Sequence, residues 1–283
     1  HIIGELNAID PHFLSLTKAT GSAGAVSGIA IAGNLAWGLG YFGQPHILVR
    51  FMAIQDPEEL KYSRRIAIIW VAITLVASVI CGVLGRLYFM DAPLGDSEQV
   101  FMLMVNQMFP AVLAGIFLAA ILAASMSTAD SQLLVTAASV SEDIYNQYIN
   151  KKATDEQKLR TGRISVVLVS VVAVAIAFDP NSSVFGLVAN AWAGLGASFG
   201  PVILISVFWR RMNRYGAMAG MVGGALTVLV WNFLERTFPD VVIFQMYELL
   251  PAFLIASALI YVISMTTQPP KKSVLQTFDE VKA

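Results

Sequence analysis

The chain has 283 residues, of which 57% are hydrophobic and only 13% are charged, and its mean hydropathy is +0.68. These values lie outside the range of soluble globular domains and predict a protein that crosses a membrane several times. The formal net charge of −1 argues against nucleic acid as a partner, and the single cysteine, Cys81, excludes an intramolecular disulfide.

Seven apolar stretches follow one another along the chain, each about as long as the roughly 20 residues that a helix needs to cross a bilayer. They lack the period-two alternation of a membrane β-strand, so an all-α bundle is predicted. Before them, 1–26 is expected to be an external loop with a short surface helix. Within the transmembrane domain, 27–265, the predicted spans are 27–51, 64–89, 110–140, 159–178, 184–209, 215–233 and 247–265, and 266–283 is the tail.

Lysine and arginine fall in alternate connections between these spans, which predicts that the first span starts outside and that the C-terminal tail is cytoplasmic. An external start is unusual for a bacterial transporter, so we expect an N-terminal portion to precede this sequence. The basic residues gather at Arg50, Lys61, Arg64 and Arg65, at Lys151, Lys152, Lys158, Arg160 and Arg163, at Arg210, Arg211 and Arg214, and at Lys271 and Lys272.

The first span contains its own helix breakers, in the stretch WGLGYFGQPH that begins at Trp37. A rise of 1.5 Å per residue from position 27 places 38–43 roughly 16 to 24 Å deep, near the middle of the bilayer. Backbone groups freed there by glycine and Pro45 need partners from protein, water or a ligand, because lipid offers none. The break is therefore a candidate solute site, with Trp37 and Tyr41 as an amphipathic aromatic wall and Gln44 as an amide.

Glycine spacings in this sequence have two other interpretations. The spacing G-x-G-x-x-G of Gly38, Gly40 and Gly43 is no dinucleotide motif here, because it follows a membrane span and not a strand. Small residues also let helices pack closely, and that is the function expected of the two overlapping GxxxG spacings in the sixth span. In the fifth span, a flexible outer gate and a static packed kink stay open as alternatives for Gly194, Gly196, Gly200 and Pro201.

The third span carries the stretch LAASMSTADSQLL, which is more polar than a lipid-facing helix tolerates. The carbonyl of Ala124 lies one turn before Thr128, so hydroxyl and carbonyl oxygens converge there, and hard cations such as sodium prefer oxygen ligands. The alternative is that the hydroxyls bond back to carbonyls one turn earlier and that the aspartate reaches water. The oxygen-bearing side chains are Ser125, Ser127, Thr128, Asp130 and Ser131.

Three separated segments, GNLAWGLGYFGQPHILVRFMA, AILAASMSTADSQLLV and AWAGLGASFGPVILISVFW, resemble the sodium/solute symporter family and its proline-transporting members. The resemblance implies a leucine-transporter-type fold of inverted repeats, of which this chain would be the C-terminal half or more of thirteen spans. It implies a sodium-driven symporter that imports L-proline by alternating access across the bacterial inner membrane. Pantothenate, a sugar or another amino acid remains an alternative substrate.

The resemblance also implies roles for individual residues. Trp37, Tyr41 and Pro45 match positions of the substrate site, and Ala124, Ser127 and Thr128 match sodium ligands. Two further ligands would come from a helix outside this sequence. Some relatives use the region of Asp130 and Ser131 for a second sodium.

Other classes fit the sequence less well. A cation channel would distribute polar residues over several helices, whereas here they concentrate in two spans. An enzyme would need a nucleophile, a base or metal ligands, and the three histidines lie apart. Besides solute, sodium and membrane lipid, no obligatory protein partner is expected.

Overall fold

The computed structural model describes residues 2–15, 18, 28–92, 94–178 and 183–282, and these residues are predominantly helical. No β-strand occurs in those ranges, so the predicted all-α class is confirmed. The helices are α1 Ile2–Ile9, α2 Gly28–Leu35, α3 Pro45–Met52, α4 Leu60–Tyr88, α5 Val100–Met108, α6 Ala111–Ala138, α7 Asp155–Ala177, α8 Val184–Phe208, α9 Arg214–Thr237, α10 Leu249–Thr266 and α11 Lys272–Lys282.

Shorter helical turns complete the described secondary structure. A π-helix, Ser139–Ile149, continues directly from the end of α6. A 3-10 helix, Ala36–Gly43, lies between α2 and α3. Three further 3-10 turns are Pro57–Glu59, Ser97–Gln99 and Val242–Gln245.

Six of the described helices are long and apolar enough to cross a bilayer: α4, α6, α7, α8, α9 and α10. They coincide with the last six predicted spans to within a few residues. The first predicted span, 27–51, is instead divided into α2, the 3-10 helix and α3, and its residue 27 lies outside the described residues. The short helix expected before it is α1, although 16, 17 and 19–26 also lie outside them. Two helices that the sequence analysis did not anticipate are α5 and α11.

Side chains at turn positions fix where several helices begin. Thr154 caps α7 in a capping box, in which its hydroxyl accepts from the Gln157 backbone while the Gln157 side chain accepts from the Thr154 N–H. Asn213 caps α9 by accepting from the Gly216 N–H at 2.9 Å. Such caps satisfy N–H groups that have no partner inside the helix.

The chain forms two compact units, the first made of His1–Val49 with Ser183–Ala283 and the second of Arg50–Ser182. In the first unit, α8, α9 and α10 pack against one another, and α8 and α10 also pack against the 3-10 helix. The core of this unit consists of small and apolar side chains: Ala193, Ala197, Val228, Leu249, Ala252 and Phe253.

The GxxxG stripe of α9 accounts for the close approach of its neighbours. A Cβ added at Gly216 would overlap Ser264 of α10, one at Gly220 would overlap Ile260 of the same helix, and one at Gly224 would overlap the Ala197 carbonyl of α8. The close packing predicted for these glycines is therefore confirmed.

The second unit contains α4 to α7. Gly85 of α4 lies against Val100 and Met104 of α5. The end of α6 and its π-helical extension pack against α7, where Lys158 forms an ion pair with Glu142 at 3.3 Å. Most of the apolar surface of these helices is exposed within the unit, as expected of helices that are solvated by lipid.

Candidate functional site

The helix interruption predicted near Trp37 is present in the structure. The backbone turns in a 3-10 helix from Ala36 to Gly43, and Gln44 is then extended, with φ −85° and ψ 110°. The helix α3 restarts at Pro45, whose missing N–H and fixed φ suit the first position of a helix. The sequence therefore breaks the helix at the glycines and restarts it at the proline.

The side chains of Gln44 and Trp192 donate hydrogen bonds to backbone carbonyls of the interruption. The Gln44 side-chain nitrogen donates to the Gly40 carbonyl at 3.3 Å and to the Trp192 carbonyl of α8 at 3.2 Å. In return, the Trp192 indole N–H donates to the Trp37 carbonyl at 3.0 Å. Because Gln44 is only 2% exposed, these bonds form where water does not replace them, and they fix the segment against α8.

An aromatic cluster surrounds Trp37, which we define as Trp37, Tyr41, Phe185, Trp192 and Tyr247. The Trp37 ring stacks on those of Phe185, Trp192 and Tyr247, with centroid distances of 5.5 to 5.7 Å. Tyr41 meets Trp192 edge to face at 4.7 Å, and its side chain is 49% exposed. The cluster thus combines a packed interior with an accessible aromatic surface beside the helix break.

Glycines allow the interruption to lie directly on α8. A Cβ at Gly40 would overlap the Trp192 indole, and one at Gly43 would overlap the Leu195 carbonyl and lie 2.7 Å from the Gly196 Cα. A Cβ at Gly38 would meet nothing within 4 Å. Gly40 is therefore required by the Trp192 side chain and Gly43 by the backbone of α8, whereas Gly38 is not required by any contact.

The four predicted substrate residues lie together along this segment, but their surroundings differ. Trp37 and Tyr41 belong to the aromatic cluster, whereas Gln44 is buried and bonded to backbone, and Pro45 begins α3. For the glycines of α8, the sequence leaves a flexible gate and a static packed kink as alternatives. In the structure, Gly196 packs closely against Gly40, and α8 continues as a helix through Pro201.

Trp192, Tyr247 and Phe185 belong to the cluster but were not among the residues predicted for the site. A signal for the first was available, because Ala-Trp followed by Gly-Leu-Gly occurs twice, at 36–40 and, with one inserted alanine, at 191–196. The structure brings these two stretches together, with the added Cβ of Gly196 at 2.8 Å from the Gly40 Cα. No comparable pattern marks Tyr247, whose hydroxyl donates to the Ala189 carbonyl at 2.8 Å.

The polar residues of α6 lie in the second unit and contact mainly their own helix. The hydroxyls of Ser127 and Thr128 both donate to the Ala124 carbonyl, at 2.9 and 3.4 Å. This local bonding is the alternative to an ion site that the sequence offers. Both residues are exposed within the unit. Each hydroxyl oxygen keeps its lone pairs, so three oxygens of one helical turn remain grouped as potential ligands of a hard cation.

One turn further along α6, the positively charged side chain of Arg50 contacts the helix. The Ser131 hydroxyl donates to the Ser127 carbonyl at 2.9 Å and accepts from the Arg50 guanidinium at 3.1 Å. Asp130, beside it, is exposed. Among the described residues, no group of three histidine, cysteine, aspartate or glutamate side chains is placed to hold a metal ion.

Comparisons with known proteins identify the family of the chain. The model of the sodium:solute symporter family matches residues 2–224. The chain is 42% identical over 279 residues to the osmoregulated proline transporter of Bacillus subtilis (strain 168), covering 97% of this chain and 54% of the relative. It is 40% identical over 280 residues to the high-affinity proline transporter of the same organism, covering 98% and 57%.

A third relative is the sodium/proline symporter of Escherichia coli (strain K12), which is 42% identical over 261 residues that cover 90% of this chain and 51% of that protein. The chain thus spans about half the length of the curated relatives it matches.

Proposed function

Since the chain belongs to the sodium:solute symporter family, we propose that the whole protein couples the inward sodium gradient to the import of L-proline. The observation that supports this most directly is the interrupted helix with an accessible aromatic surface, because transporters built from discontinuous helices bind solute beside the break. The names of the relatives supply the choice of proline. Family and relatives are transporters, so no catalytic step is included.

The substrate site is proposed at Trp37, Tyr41, Gln44 and Pro45, with two kinds of role. The exposed ring of Tyr41 would cover the apolar pyrrolidine ring and attract its ammonium through its π-face. Trp37, which stacks on three other rings, would form the aromatic wall beside it. Gln44 and Pro45 would hold the break open, since one is buried against backbone and the other restarts the helix.

The sodium site is proposed at the Ala124 carbonyl and the Ser127 and Thr128 hydroxyls. These three oxygens are fewer than the roughly six that hard cations take in proteins, so ligands from other segments of the whole protein would complete the shell. A sodium bound there would stabilise the outward-open state that accepts solute, and its loss to the inside would allow the carrier to return.

A second sodium at Asp130 and Ser131 is a separate proposal, and one hydrogen bond in the structure argues against it. The Arg50 guanidinium already bonds the Ser131 hydroxyl, and a nearby positive charge repels a cation. Because of this contact, we favour a role for Asp130 as a balancing negative charge in a polar region over a role as a direct sodium ligand.

For localisation, we propose a multi-pass protein of the bacterial inner membrane with its C-terminus in the cytoplasm, as the positions of lysine and arginine indicate. Another small solute, such as pantothenate, a sugar or a different amino acid, is the alternative cargo. A cation channel is less favoured, because the polar residues concentrate in two segments.

The experiment is uptake of labelled proline by the full-length protein in proteoliposomes with an imposed sodium gradient. We expect accumulation with inward sodium and none with inward potassium, and competition by unlabelled proline but not by pantothenate or glucose. Equal uptake with either cation would contradict sodium coupling. Stronger competition by another solute would contradict the choice of proline.

A further inference from the structure

A cavity lies where one end of the first unit's helix bundle meets the C-terminal helix. It has a volume of about 540 Å³, within the range of small-molecule sites. The walls come from the end of α8, the start of α9, the connection 268–271 and α11. None of the residues discussed for solute or sodium lines it, so it is unrelated to the proposed transport sites.

The cavity has an extensive apolar surface. Val274, Leu275 and Phe278 of α11 line it, and with this spacing they form one face of the helix. Trp209 and Tyr215 line it from the bundle. A helix whose apolar face borders such a space, at the end of membrane-length helices, is suited to the boundary between head groups and acyl chains.

Specific polar contacts hold this region in place. The Arg210 guanidinium donates two hydrogen bonds to the Asp279 carboxylate of α11, at 2.9 and 2.7 Å. These bonds hold the pKa of the Asp279 carboxyl below its usual range, so the pair is ionised at neutral pH. The Asn213 side-chain nitrogen donates to Thr267 and to the Gln268 carbonyl, both at 2.7 Å, which fixes the connection that leads to α11.

The charges of the wall are all positive. Arg210, Arg214 and Lys271 line the cavity, and none of the acidic residues that the structure describes does. Arg210 is neutralised by Asp279, whereas no ion pair to Arg214 or Lys271 is found within 183–282. Arg211, which follows Arg210 in the sequence, donates through Nη2 to the Thr267 carbonyl at 2.9 Å, and its Nη1 atom is buried without a hydrogen-bond partner in the described part of the chain. Within 183–282, Arg214 and Lys271 therefore border an apolar space as cations without an acidic partner, and the Arg214 guanidinium lies over the Tyr215 ring at 5.2 Å.

We propose that this cavity binds an anionic phospholipid, whose phosphate is recognised by Arg214 and Lys271 and whose acyl chain lies on the apolar face of α11. Basic pockets at the ends of membrane helices attract anionic head groups by charge. The apolar wall favours a lipid over a free phosphate ion, which would gain nothing from Leu275 or Phe278. The lipid would tie α11 to the ends of α8, α9 and α10.

The test uses the purified full-length protein in detergent, titrated with phosphatidylglycerol or with phosphatidylcholine of the same acyl chains. Binding is followed by native mass spectrometry and by the rise in melting temperature. We expect saturable binding of phosphatidylglycerol, with an affinity that falls on the order of 30-fold in the double variant Arg214→Gln, Lys271→Gln, about fivefold for each charge. Lys271→Gln alone, at an exposed position, gives the fivefold step if the double variant does not fold.

The matched control is Lys151→Gln, Lys152→Gln, which removes two exposed lysines of the second unit and should leave the affinity within threefold of the original. Equal losses in both double variants would mean diffuse charge attraction and would overturn the site. Inorganic phosphate is titrated as a separate arm, and the same protection by phosphate alone would overturn the lipid assignment. Leu275→Gln should weaken phosphatidylglycerol binding severalfold, and an unchanged affinity would also count against the proposal. None of these readouts depends on proline or sodium transport.

Discussion

The interrupted helix and the polar stretch of α6 are equally prominent in the sequence, but their surroundings in the structure differ. The interruption is fixed by contacts with distant parts of the chain, such as the bonds between Trp37, Gln44 and Trp192. The α6 hydroxyls bond within their own helix, to the Ala124 carbonyl. Substitutions in the first region should therefore alter structure and solute binding together, whereas those in the second should alter ion binding with little effect on folding.

The largest effect is expected for Gly43→Ala. Its Cβ would overlap the Leu195 carbonyl, a backbone atom that cannot move aside, and overpacking of this kind costs about 1–3 kcal/mol. Proline uptake should fall below a tenth of the original, with a lower melting temperature. Gly38→Ala is the matched control and should behave like the original protein, since its Cβ meets nothing within 4 Å. Equal behaviour of the two variants would mean that the interruption does not lie on α8 as described.

The next largest effect is expected for Thr128→Ala and Ser127→Ala. Removing one oxygen ligand of a cation costs roughly 1.5 kcal/mol or more, so the sodium concentration for half-maximal uptake should rise about tenfold. Thr136→Ala removes a hydroxyl that also bonds back to the carbonyl one turn earlier, Gln132, and should leave sodium dependence unchanged. If all three variants shift alike, the hydroxyls at 127 and 128 have only a local structural role.

A smaller effect is expected for Tyr41→Ala. Loss of an exposed ring that contacts substrate removes about 1 kcal/mol, which raises the proline concentration for half-maximal uptake roughly fivefold. Tyr41→Phe keeps the ring and its edge contact with Trp192 and should stay within twofold. An unaltered half-saturation in Tyr41→Ala would remove this residue from the substrate site.

The smallest effect is expected for Asp130→Asn, measured as the ratio of sodium to proline transported. Because Arg50 already bonds Ser131, we expect this ratio to remain unchanged. A lower ratio would restore the proposal of a second sodium at Asp130 and Ser131.

Much of the fold follows from local sequence properties. Six spans match helices of membrane length, because about 20 apolar residues in lipid leave the backbone little choice but a helix. The glycines and proline that signal an interruption near Trp37 act through their own backbone preferences, so that break is also readable locally. The amphipathic helix α11 was missed because it is short and polar, and its apolar stripe appears only once helical periodicity is assumed.

The sequence by itself determined the class of the protein, the position of its membrane helices, the break in the first span and the grouping of oxygens on α6. Each of these depends on hydrophobicity or backbone preference over a few turns. Only the tertiary structure decided that Trp192 and Tyr247 stack on Trp37, that Gln44 is buried against α8, and that a Cβ at Gly43 would overlap α8 where one at Gly38 would meet nothing within 4 Å. Those contacts join residues more than 140 positions apart, as Gln44 and Trp192 show, and local preferences do not specify which distant surfaces meet.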